Sequence, residues 1–213
     1  MASEPPVTSG SGGMIARIAN LLMRPKEEWP RIAAEPMTPA AIMTKWVVPL
    51  AAIGPAAGLI RSLGTGSTLN GIAVATPPMY LAVNFALTWA LAVLSTWVLG
   101  LIVDALAPSF GGQKDPVAAL KVAAFGSTAG FLSGIFQIHP MLMLFGIVGL
   151  YTFYLILEGL PVLMKSPRDK SVAYMLVVFV AAVVVMIIAG YVTSLITNTL
   201  LPPVPYGYDF RPQ

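Results

Sequence analysis

Between Ile42 and Leu200 the chain holds five apolar stretches, each close to the length that a helix needs to cross a lipid bilayer. A bilayer core of roughly 30 Å takes about 20 consecutive apolar residues of helix. The stretches run at about 42–60, 79–105, 117–138, 141–164 and 172–200. Hydrophobic residues make up 57% of the chain and charged residues only 10%, where globular proteins carry about 25% charged. So much apolar surface with so few charges outside it calls for lipid as the solvent. The expected fold is all-α: an integral membrane five-helix bundle preceded by N-terminal cytoplasmic amphipathic helices.

Proline and glycine punctuate the stretches. Pro49, Gly54, Pro55 and Gly58 interrupt the first, which predicts a kinked and closely packed helix. Pro77-Pro78 opens the second and Pro108 follows it, His139-Pro140 makes a tight reversal between the third and fourth, and Pro202-Pro203 stops the fifth.

The twelve Lys and Arg residues are sorted between the connections. Arg17, Arg24, Lys26, Arg31 and Lys45 precede or open the first span, Lys114 and Lys121 fall at the second connection, and Lys165, Arg168 and Lys170 at the fourth. These ten share one side, and only Arg61 and Arg211 fall on the other. Cytoplasmic loops carry the excess of Lys and Arg, so the N-terminus is expected inside, the C-terminus outside, and the protein in the cytoplasmic (inner) membrane.

Three regions follow. Residues 1–13 are rich in Ser, Pro and Gly, with neither a basic start nor an apolar run; a disordered tail is expected there rather than a secretory signal. Residues 14–200 form the membrane domain. Residues 201–213 form an outer tail in which Tyr206, Tyr208 and Phe210 suit an interfacial anchor. Within the domain, Ile15, Ile18 and Leu22 fall at helical spacing, and Pro25 opens a second short helix with Trp29 and Ile32 as an apolar pair. Two readings of these helices stand side by side. They lie on the inner leaflet with Trp29 at headgroup depth, or they pack on the cytoplasmic ends of the spans.

Glu158 is the one carboxylate well inside a span, seven residues before Lys165 and so roughly 10 Å below the boundary. Intramembrane carboxylates are costly and face the bundle interior or water. Glu158, Lys121 and Asp104 thus form a candidate intramembrane site: a proton or cation site or gate, or else a structural pair of Glu158 with Lys121 or Lys165 at the inner rim. Gly126, Gly130 and Gly134 form a small-xxx-small series that allows close helix packing and places the third span centrally. Asn70, Asn84 and Asn198 read as packing hydrogen bonds near the outer leaflet. Arg24, Lys26, Trp29, Arg31, Lys165, Arg168 and Lys170 make a candidate cytoplasmic docking face for anionic lipid or a partner.

No catalytic group emerges. His139, the only histidine, reads as a turn residue at the outer interface; Ser127 and Ser133 lie roughly 18 and 9 Å from it along one helix. With no cysteine, no metal-ligand spacing and no glycine-rich phosphate loop, neither an enzyme nor a cofactor or metal is expected. The cations are not interleaved with aromatics, so no nucleic acid is expected.

The segments RPKEEWPRI (Arg24 to Ile32), WVVPLAAIGPAAGLI (Trp46 to Ile60) and EGLPVLMKSPRDKSVAY (Glu158 to Tyr174), in this order around five spans, resemble the Yip family. These are the Ypt/Rab-interacting-protein-like membrane proteins, and the likeness, over roughly residues 14 to 200, is to the bacterial branch. Eukaryotic relatives are associated with vesicle trafficking and small-GTPase recruitment; their longer acidic region and Tyr-Gly-Pro element have no counterpart before Trp46. The resemblance implies a non-enzymatic scaffold or adaptor of membrane organisation. Its partners would be membrane lipids and a membrane or cytoplasmic protein, with a homo-oligomer also open. The alternatives are a small transporter or channel with Glu158 on its pathway, and a lipid-handling protein using the glycine-rich third helix.

Overall fold

The computed structural model describes residues 13–65, 67–69, 72–74 and 76–200. Residues 1–12, Asn70 and the tail with Tyr206, Tyr208 and Phe210 lie outside the described residues, and with them the expectations placed there. Five helices are long and apolar enough to cross a membrane: Pro39–Gly64, Pro78–Phe110, Pro116–Ile138, Pro140–Leu163 and Arg168–Thr199, called here the first to fifth spans. The protein is a multi-pass membrane protein. Ahead of the spans stand α1 (Met14–Met23) and α2 (Pro25–Ala34). Strands β1 (Ser67–Leu69) and β2 (Ile72–Val74) pair antiparallel between the first two spans.

Local chemistry sets the span starts. Pro39, Pro78, Pro116 and Pro140 each sit in a first turn, where a missing N–H costs nothing. Asp115 caps the third span by accepting from the N–H groups of Val117 (3.0 Å) and Ala118 (2.9 Å). The first span is broken, as its prolines predict. A π turn over Met43–Val47 precedes Pro49; the α-helical path resumes over Val48–Ala51, breaks at Ala52 and resumes at Ile53 just before Pro55. A proline ring clashes with the carbonyl four residues back, and the wider turn relieves that contact. The carbonyl of Val48 accepts the Trp89 indole N–H at 2.9 Å, so the second span supplies a partner at the break.

The third span is the centre of the bundle. Of its most apolar stretch 61% is buried, against 11–22% for the other four. Its glycines explain the fit, although they do not share one partner. A Cβ at Gly126 would lie 2.6 Å from Cγ1 of Ile156 in the fourth span, and one at Gly130 3.2 Å from Thr152 Oγ1. One at Gly134 would instead meet the Gly54 backbone in the first span at 2.7 Å. The reversal at His139-Pro140 forms as expected, with His139 Nδ1 accepting from the Met141 N–H at 3.2 Å. The fourth span opens as a 3₁₀ helix over Pro140–Leu150 before turning α-helical at Tyr151.

Of the two arrangements open for α1 and α2, packing on the bundle is the one found. Leu21, Trp29 and Ile32 are fully buried, and α2 lies along the fourth span. The expected stripe Ile15, Ile18 and Leu22 is rotated: Met14, Ile18, Leu21 and Leu22 pack on the core while Ile15 is 83% exposed. Arg17 is turned toward α2, where Glu28 and Glu35 hold it, and that rotation carries Ile15 outward.

Candidate functional site

At the end of the bundle where the third span begins, α1 and α2 close over charged groups that the fold has taken partly out of water. Lys121, in the second turn of the third span, is buried and turns its ammonium toward α2. Its Nζ donates to the backbone oxygens of Ile32 (2.7 Å) and Glu35 (2.6 Å). A cation at this point meets the negative end of the α2 dipole and satisfies carbonyls that helix geometry leaves without a partner.

Arg17, on α1, reaches across to α2. Its guanidinium pairs with Glu35 by a short hydrogen bond and with Glu28 at 3.4 Å, and lies 5.8 Å from the centre of the Phe125 ring. Glu28 is itself buried and holds Arg31 at 3.4 Å. Burial opposes the charge on Arg17, but the Glu35 hydrogen bond, the Glu35 charge and then Glu28 outweigh it and raise the guanidinium above its ordinary value. Two further contacts fasten the pair of helices. The Tyr151 hydroxyl donates to the Leu22 carbonyl at 2.8 Å, and the Trp29 indole lies flat against Gly159, whose missing side chain makes the room.

Glu158, Lys121 and Asp104 do not come together as a site. Glu158 pairs with Lys26 of α2 at 3.8 Å, not with Lys121 or Lys165, because α2 lies over the fourth span at that level. Lys121 is occupied by α2 carbonyls. Asp104 lies at the end of the second span, with Oδ1 buried and unpaired among the described residues. Nearby, Tyr174 donates to the Val103 carbonyl and stacks on Phe110 with centroids 4.8 Å apart. Of the residues expected on a docking face, Arg24, Lys26, Arg31, Lys165, Arg168 and Lys170 are exposed. Trp29 is not; it is an internal anchor, since the groove at Gly159 takes its ring.

The links from Arg17 to Glu28 and Glu35 went unseen in the sequence, where Arg17 only marked the polar side of a stripe. One signal was present: Glu28 on α2 and Glu35 just past its end are seven residues apart, about two helical turns, so one long side chain can meet both. Among the described residues no cluster of His, Cys, Asp and Glu could hold a metal ion.

Two cavities lie deeper in the bundle. One of about 790 Å³ is bordered by all five spans, the first contributing Ala51 and Pro55. One of about 170 Å³ lies between the first and second. Glu158 lines neither.

From Ala19 in α1 to Gly190 in the fifth span (residues 19–190), the sequence matches the family model described as the Yip1 domain. Neither a curated protein nor a solved structure matches the chain. The matched segment takes in half of α1, all of α2, the first four spans and most of the fifth, and on that match the chain belongs to the Yip1 domain family.

Proposed function

We propose that this protein is a non-enzymatic scaffold or adaptor of membrane organisation, seated in the cytoplasmic membrane with its N-terminus inside and its C-terminus outside. The observation that supports this reading is the fastening of α1 and α2 to one end of the bundle. Trp29 in its groove, Lys121 on two carbonyls and Arg17 on two carboxylates hold the pair as a fixed surface. That surface offers exposed Arg24, Lys26 and Arg31, with Lys165 exposed in the loop that follows the fourth span and Arg168 and Lys170 exposed in the first turn of the fifth. A pre-ordered basic face spends little entropy on ordering when a partner or an anionic headgroup layer binds.

The chain has no cysteine, so single cysteines report without background. Lys165→Cys should react with a membrane-impermeant maleimide only in inverted vesicles; labelling in intact cells would reverse the orientation. A photo-crosslinker at Arg24 or Arg31 should capture a reproducible protein adduct that one at Ile187 does not. If all three positions give the same products, or none, the adaptor reading fails. The transporter alternative lacks a comparable support, since its carboxylate lines neither cavity and is covered by α2.

A further inference from the structure

The two cavities adjoin. Pro55, Thr88 and Gln137 line both, so the small one opens beside the large one. Their linings differ in kind. The small cavity has Arg61, Ser62 and Asn84 about its wall, and among the described residues Arg61 is its one charged residue. The large one has no Asp, Glu, Lys, Arg or His among the described residues.

Their placement along the spans is equally informative. Arg61 lies within a turn of the end of the first span, on the side away from the cation-rich face. From Thr88, at the junction, the large cavity follows the second span to Leu99, which is roughly 16 Å at 1.5 Å per residue. Half of a bilayer's hydrocarbon core is roughly 15 Å. The large cavity is thus long enough for an acyl chain, mostly apolar along its wall, and headed by a small pocket containing a guanidinium.

We propose that the two cavities together bind one anionic phospholipid from the leaflet opposite the cation-rich face, with its phosphate at Arg61, Ser62 and Asn84 and an acyl chain along the large cavity. A guanidinium presents its fork of donors to phosphate oxygens, and the Asn84 amide adds a donor of its own; the Ser62 hydroxyl donates to the Gly58 carbonyl at 2.9 Å and lines the pocket without a free proton. Hydroxyls such as those of Ser95, Ser127, Thr152 and Thr193 lie about the wall, but the lining is mostly apolar, so the greater part of the space lacks the two to four polar partners that an ordered water needs. Left empty, it would cost its lining the contacts on one side. Lipid tails are the apolar material at hand in a membrane. The floor of the large cavity is also left open where glycine stands: a Cβ at Gly146 or at Gly190 would meet nothing within 4 Å.

Those glycines make the test clean, because a large side chain there fills the cavity without a clash at its base. The full-length protein is reconstituted in nanodiscs of phosphatidylcholine containing a minority of phosphatidylglycerol, released, and examined by native mass spectrometry. The expected result is one retained phosphatidylglycerol per chain. Gly190→Phe and Gly146→Phe should each reduce its occupancy at least tenfold, and Arg61→Gln should remove the preference over phosphatidylcholine while a lipid is still retained. Lys165→Gln and Lys170→Gln, on the opposite face, should change nothing. Retention of phosphatidylglycerol by both glycine variants would overturn the proposal, as would a preference that Arg61→Gln leaves intact. Displacement by millimolar inorganic phosphate would mean a site for free phosphate, and would overturn it too. If one glycine variant does not fold, a diazirine-tailed phosphatidylglycerol decides on the unmodified protein. Crosslinks within 179–193 of the fifth span support the site, and crosslinks only elsewhere remove it.

Discussion

Replacing Gly159 with alanine tests how α2 is held. The added Cβ would lie 2.8 Å from Cζ2 and 2.9 Å from Cε2 and Cη2 of Trp29, closer than carbon atoms pack. The ring cannot swing aside, since Trp29 is fully buried. Two effects oppose each other. Alanine favours the helical fourth span by roughly 1 kcal/mol over glycine, whereas overpacking a tight contact costs about 1–3 kcal/mol. With three ring atoms under 3.0 Å the cost lies in the upper part of that range, so the balance is a net loss of about 1–2 kcal/mol, falling on whichever body yields. The fourth span is locked to the third by the close approach of Ile156 to Gly126, so α2 is the body that lifts. A loss near 1–2 kcal/mol makes local opening roughly 5- to 30-fold more frequent. Hydrogen exchange read by mass spectrometry should therefore quicken by that factor across residues 27–35 and stay unchanged in the third span. Gly58→Ala is the control: nothing lies within 4 Å of its Cβ, so it should leave α2 exchange unaltered. Unchanged α2 exchange in Gly159→Ala, or equal quickening of the third span, would refute the reasoning.

Lys121→Met should lower stability by about 2–4 kcal/mol, because the Ile32 and Glu35 carbonyls lose their donor where water is scarce; thermal unfolding in micelles measures it, and Lys121→Arg should recover part. Arg17 is raised above its ordinary value, so its contribution is complete below that value and fades only as pH rises through the higher folded one. Docking that depends on Arg17 should accordingly be constant between about pH 7 and 9, and a fall in α2 protection over that range, absent in Arg17→Met, would contradict it. Glu158→Gln removes a 3.8 Å contact to a Lys26 side chain that is two-thirds exposed, so stability should change by less than about 0.5 kcal/mol. Proton or cation flux in reconstituted vesicles should be the same with either residue, and a flux that the substitution abolishes would restore the transporter reading.

The spans were legible because hydropathy over about 20 residues is set by lipid, whatever the tertiary packing. The break in the first span was equally legible, since Pro49 and Pro55 act through their own backbone. The small-residue series correctly placed the third span at the centre, but whether Gly134 would face the first span or the fourth depends on the curvature of the whole bundle. Partner choice among the charges was illegible for the same kind of reason. Lys121 lies seventeen residues beyond Asp104 and thirty-seven before Glu158, yet it bonds neither. A backbone carbonyl is an acceptor that no letter of the sequence advertises. The α1 face was missed where Ile15 and Leu21 compete on equal terms and only the surface beneath decides.

Because the Lys121 ammonium grips main-chain oxygens, its hold on α2 depends on where the chain runs and hardly at all on which residues it carries. The outward side of that helix is consequently open to wholesale rewriting. Exchanging Lys26, Glu27 and Arg31 for other residues should leave the anchorage standing while changing what the surface attracts. A single framework of this kind can be retargeted by altering one turn or two of exposed helix, with the membrane portion untouched.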